Sequence, residues 1–139
     1  MLRNGRALGD VYLRGRLTPR EREHIMVAVS RVNACQGCTY VHERWALRAG
    51  ATHEELRNLE IGDLSGLDDR GRAAVAYATA RAEADFLGTH SADAAAASER
   101  LTPREIAAVE AVARAMALAS LTVNTAESAV AGIRRRSHS

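Results

Sequence analysis

A chain of 139 residues has the length of one domain, read here as a single unit over 1–139, and such a chain buries enough surface to fold without disulfide staples. Its composition is 47% hydrophobic and 26% charged, and a formal net charge of +2 is too balanced to ask for nucleic acid or a membrane surface as a partner, although the sequence pI is 8.8. All 19 basic residues are arginine, which we read as the codon bias of a GC-rich coding sequence and not as a binding signal.

The opening "MLRNGRALGD" has no apolar core of a signal peptide. No apolar run is expected to reach membrane-spanning length: the nearest, Ile106 to Val123, is interrupted by Glu110 and Arg114, an i,i+4 pair of opposite charge. A cytoplasmic protein is the simplest reading. In a reducing compartment a cysteine pair is more often catalytic or metal-binding than structural.

Taken in chain order, the elements are all helical, about six of them. The pentapeptide "LTPRE" occurs at 17–21 and again at 101–105. In each copy Thr is a good N-cap and Pro fits the first helical position. The first helix is predicted from Pro19 to about Asn33, with Ile25, Met26, Val29 and Val32 at three- and four-residue spacing. The second begins near Gln36 and ends at Gly50, a natural residue just past a helix end. "THEE" at 52–55 is a capping box of Thr52 and Glu55, opening a short helix to about Glu60. "IGDLSGLDD" is a loop, after which Asp68 or Asp69 caps a helix to about Ala84. Ser91 is expected to cap "ADAAAASER". The last helix runs from Pro103 to about Val130, and the segment 134–139, with Arg134, Arg135 and Arg136, reads as a frayed, solvated tail. That last helix is built from small apolar residues, Ala107, Ala108, Ala111, Ala113, Ala115, Ala117 and Ala119 among them. It should be buried on most sides, which implies a subunit interface as well as a core, and hence a homo-oligomer.

"ACQGCTYVHERWALRAG", 34–50, holds both cysteines and a histidine. Cys35 at a helix N-terminus and Cys38 one turn later can bring their sulfurs together, and free N–H groups at that end favour a thiolate. His42 lies four residues past Cys38, a rotation of roughly 400°, so the two share a face. An imidazole there can take the thiol proton or stabilise its anion. If the chain reverses near Asn33 and Ala34, Glu23 and His42 stand at nearly equal distances from the reversal. In an antiparallel pair they meet within about one turn, and the carboxylate can orient the imidazole and relay its proton. Glu21 and His24 point about 100° or more away from Glu23, so at most one of the three faces the site. Cys35, at the first turn, is expected to be the more exposed cysteine. A zinc site with Cys35, Cys38, His42 and Glu23 as ligands is the competing reading, but structural zinc usually takes a second Cys or His pair; no metal and no cofactor is expected. Tyr40 and Trp45 read as packing residues, and His53 and His90 lie in or beside caps and breaks, with no function assigned.

A Glu, eleven residues, then C-x-x-C-x-x-x-H, an Ala/Arg-rich helix and "AGATHEEL" resembles the alkylhydroperoxidase D family within the carboxymuconolactone decarboxylase superfamily. The match is "LTPREREHIMVAVSRVNACQGCTYVHERWALRAGATHEELRNLE", residues 17–60, about a third of the chain. The resemblance implies an all-α subunit, assembly into a trimer or hexamer, and thiol peroxidase or disulfide-reductase activity. The substrate would be a hydroperoxide, and the electron donor a dithiol of thioredoxin or lipoyl type. Cys38 would be the attacking thiolate, Cys35 the resolving thiol, and Glu23 with His42 the proton relay. One position departs from the pattern: members often carry histidine or an aromatic residue just before the second cysteine, where this chain has Gly37. Competing readings are a lactone decarboxylase of the same superfamily, which does not need the C-x-x-C, and a non-enzymatic redox sensor or adaptor.

Overall fold

The computed structural model describes Gly9 and residues 15–136. Among them are six helices and no strand: α1 (Pro19–Val32), α2 (Gln36–Arg48), α3 (His53–Glu60), α4 (Asp69–Glu83), α5 (Ser91–Ser98) and α6 (Pro103–Arg136). The opening decapeptide lies outside the described residues except for Gly9.

The helix starts follow from local chemistry. Thr18 and Glu21 form a full capping box with Pro19 behind it, Thr52 and Glu55 form another, and Asp68 caps α4 through Gly71 N–H. Both copies of "LTPRE" turn out to be capping boxes: Thr102 N–H donates to Glu105 and Glu105 N–H to Thr102 Oγ1. The two boxes also meet in space, because Arg70 donates at 2.5 Å to both Glu21 and Glu105, and at 2.7 Å to the Arg16 carbonyl. At the end of α2, Gly50 adopts φ 98°, and the bonds from Gly50 N to Leu47 O and from Ala51 N to Ala46 O close a Schellman motif.

One cap differs from expectation. The residue that caps α5 is His90, not Ser91, which is the first helical residue. His90 lies in the left-handed region (φ 43°) and makes no side-chain cap bond; its Nδ1 is instead 2.9 Å from Asp93 Oδ2.

α1 is the centre of the fold, packed against α2, α3, α4 and α6. Its residues Glu23 to Ser30 are all buried, more than a single amphipathic stripe, because neighbours stand on several sides. α4 and α6 close the other side, with Ala74, Val75 and Ala78 facing Val109, Val112 and Met116 in one core. Arg81 is buried in this layer. Its guanidinium donates twice to Glu110 at 3.0 Å and to the Phe86 and Leu87 carbonyls at 3.1 Å. The hydrogen bonds to the Glu110 carboxylate hold the Arg81 pKa above its ordinary value, against desolvation by burial.

α6 corrects three expectations. It continues beyond Val130 as helix through Arg136, so residues 134–136 of the expected tail are helical in backbone. Its burial also divides along its length: Ala108, Ala111, Ala113 and Met116 are in the core, whereas Leu118, Leu121, Val130 and Ile133 are exposed. By length and composition Pro103–Arg134 is long and apolar enough to cross a membrane, contrary to the expectation from sequence. Glu110 and Arg114, the charges within that run, pair with each other at 2.8 Å, and Glu110 also pairs with Arg81.

Candidate active site

The α1–α2 hairpin builds the site. α1 ends at Asn33, Ala34 takes φ 51°, and Cys35 N–H donates back to the Ser30 carbonyl at 2.9 Å. This turn sends the chain back antiparallel at the Asn33–Ala34 reversal read from sequence. Across it, Ser30 Oγ and Thr39 Oγ1 lie 2.8 Å apart, and Arg31 bonds Glu43 at 2.5 Å.

Cys35 is the N-cap of α2 and Cys38 its third residue; the two are joined as a disulfide with Cα atoms 5.3 Å apart, and Cys35 Sγ also accepts from Cys38 N–H. The exposures reverse the expected order. Cys35 is 0% exposed and Cys38 is 6% exposed. The reason is the left-handed Ala34 and the bond from Cys35 N–H to Ser30, which fold the N-cap beneath the hairpin instead of leaving it at a solvated first turn.

Glu23 and His42 meet as the hairpin argument requires. Glu23 Oε2 is 2.8 Å from His42 Nδ1, and Glu23 is only 3% exposed. An ionised carboxylate accepts only, so the ring donates through Nδ1 and its Nε2 stays available for chemistry. The other Glu23 oxygen lies 3.4 Å from Arg22 Nε. A buried carboxylate with both oxygens engaged is fixed in place, and it fixes the ring in turn.

Of the three acidic or imidazole neighbours on α1, Glu23 alone faces this site. Glu21 serves the cap and Arg70. His24 is buried on another side, with Nε2 3.5 Å from Glu55 Oε2 and no hydrogen-bond partner. Desolvation by burial holds the His24 pKa below its ordinary value, with the Glu55 charge opposing.

Tyr40 and Trp45 are not core packing. Tyr40 is 61% exposed beside Arg44, and Trp45 is 49% exposed. Trp45 does border the site, with its ring edge-on to His42 at a centroid distance of 5.3 Å. His53 is the exposed first residue of α3.

α2 thus presents two sides. Cys38, His42 and Trp45 share one; Gln36, Tyr40 and Glu43 share the other, about 200° away. The second side borders a cavity of about 390 Å³, which is also lined by Arg31, Ala34, Cys35, Thr39 and Glu60. Among the described residues, no three His, Cys, Asp or Glu side chains are grouped to hold a metal ion. Sequence reasoning did not find the contact of α6 with this hairpin, where Asn124 Nδ2 donates to the Asn33 carbonyl at 2.9 Å. No local signal marks a pairing across ninety-one positions.

A model of the carboxymuconolactone decarboxylase family matches residues 3–80, which include the whole hairpin. Neither curated proteins nor solved structures give a match. The matched segment is more than half of the chain and carries the C-x-x-C with its Glu–His pair, and the chain therefore belongs to the carboxymuconolactone decarboxylase family.

Proposed function

We propose that this protein is a thiol-dependent peroxidase or disulfide reductase of the alkylhydroperoxidase D type, cycling through the Cys35–Cys38 pair. The observation that carries the reading is the buried Glu23 carboxylate on His42 Nδ1, with His42 one turn from a cysteine already bonded to its C-x-x-C partner. In the reduced protein, His42 takes the Cys38 thiol proton. The thiolate attacks the terminal oxygen of a hydroperoxide, the O–O bond breaks, and the alkoxide leaves as the alcohol with the proton returned by His42. Cys38 is then a sulfenic acid. The Cys35 thiol displaces its oxygen as water and forms the disulfide. An external dithiol of thioredoxin or lipoyl type reduces the disulfide and is itself oxidised to its disulfide. The face that Cys38 shares with His42 favours it as the attacking sulfur.

The working assembly in this reading is a cytoplasmic homo-oligomer, a trimer or hexamer, which covers the apolar second half of α6. A lactone decarboxylase has no use for the disulfide. A redox sensor or adaptor has one observation in its favour: the exposed half of α6 packs on the cysteine hairpin through Asn124, so the thiol state and assembly share a contact.

Hydroperoxide turnover with dihydrolipoamide as reductant tests the enzyme reading. Steady consumption that is lost in Cys38→Ser supports it. A single two-electron oxidation per chain without turnover, accompanied by a change in assembly, replaces it with the sensor.

A further inference from the structure

The family model ends at residue 80, yet the cysteine helix is covered from the far end of the chain. Asn124 fixes α6 to the Asn33 carbonyl at the reversal that carries Cys35. Val123 and Glu127, four residues apart, lie on the same side of α6. Between the cysteines stands Gly37, the second residue of α2. A Cβ at this position would lie 3.3 Å from Glu127 Oε1 and 3.7 Å from Val123 Cγ1. With no side chain at Gly37, a carboxylate from α6 comes against the first turn of the cysteine helix, closer than it would sit beside a Cβ by a few tenths of an ångström. A larger side chain at this position would start from a Cβ already in contact with Val123 and Glu127 of α6.

The first amides of α2 have no intrahelical carbonyl to bond, and they form the positive end of the helix dipole. That end stabilises whichever anion stands at it. The exposed Glu127 side chain reaches the second residue of this turn, so its carboxylate stands beside the end where a cysteine thiolate of the reduced protein would form.

We propose that Glu127 is a positioning residue of the dithiol site: seated at Gly37, its carboxylate shares the positive end of α2 with the cysteine sulfurs and sets how readily the reduced cysteines lose their protons. The inference rests on the thiol chemistry proposed above. It makes the first step slower at low pH than the C-x-x-C and His42 alone would give. The other charged or titratable groups around the pair are Glu23 and Arg31 from α1, Tyr40, His42 and Glu43 from α2, and Glu60 from α3. Of these, Glu23 is paired with His42 and Arg31 with Glu43.

Alkylation of the reduced full-length protein by iodoacetamide, followed from pH 5 to 10 with mass spectrometry locating the label, reads the cysteines without any peroxide. Glu127→Gln should move the midpoint down by about half a pH unit, so that alkylation below the midpoint is about threefold faster. A purely structural role for Glu127 would leave the pH profile of the folded variant unmoved, and an unmoved or upward-moved midpoint in Glu127→Gln overturns the proposal. Peroxide turnover is measured separately, so a protein that fails as a peroxidase but shows the shifted profile refutes the enzyme reading and leaves the role of Glu127 standing.

Discussion

Glu23 on α1 and His42 on α2 are nineteen positions apart and meet at 2.8 Å because they lie at matched distances on either side of the Asn33–Ala34 reversal. The pair acts on one event, proton movement at the thiols. Glu23→Gln and His42→Ala should each lower peroxide turnover by about 10²-fold. The double variant should be little worse than the poorer single one, since parts of one relay are not additive. Steady-state rates of the three variants check this, and fully multiplicative losses mean that the residues act separately.

The face that Cys38 shares with His42 sharpens the assignment of roles. Cys35→Ser should react with one equivalent of peroxide and leave a sulfenic acid on Cys38 that a dimedone probe traps, followed by over-oxidation. Cys38→Ser should give no adduct, because the remaining Cys35 does not share the His42 face of α2. Mass spectrometry of both variants reads the outcome, and an adduct on Cys35 alone reverses the assignment.

His24 gives the fold a pH dependence in the mildly acidic range. Desolvation lowers its pKa in the folded protein, so the unfolded chain binds a proton first as pH falls. The stability contributed by neutral His24 is complete above about pH 6.5, the ordinary histidine value, and is lost as pH drops below it toward the depressed folded pKa. Urea unfolding between pH 5 and 7.5 should show this decline, and His24→Gln should flatten it. A slope that persists in His24→Gln belongs to other groups.

Arg81 is a buried charge whose removal is costly. Four of its bonds end on Glu110, Phe86 and Leu87, and the truncated variant would leave the Glu110 carboxylate without them. Arg81→Ala should destabilise the protein by about 3 kcal/mol, the scale of a broken buried pair. Denaturant midpoints measure it, and a loss near zero means that the Arg114 ion pair compensates the Glu110 charge by itself.

The exposed half of α6 predicts the assembly. Leu118, Leu121, Val130 and Ile133 are more apolar surface than an isolated helix leaves in water without a partner. Light scattering should give a multiple of the 15.0 kDa chain mass, and Leu121→Arg should lower it. A parent protein at 15.0 kDa rules the oligomer out.

Where structure depends on neighbours a few residues away, the sequence by itself determined it. Thr18, Thr52 and Asp68 cap their helices, Gly50 ends α2, and Cys38 shares a face with His42, because capping bonds and the 3.6-residue turn act over three or four positions. The meeting of Glu23 with His42 was also legible, since a tight reversal turns distance along the chain into register. Only the tertiary structure decided which cysteine is deeper, and it decided against the local expectation: one left-handed residue, Ala34, and one bond to Ser30 tuck the N-cap under the hairpin. It also decided which half of the alanine-rich α6 is core, because a helix apolar on most sides does not say where its neighbours end. And it brought Asn124 and Glu127 to the cysteine turn, a contact set by how a 34-residue helix crosses the hairpin, which no periodicity within either segment encodes.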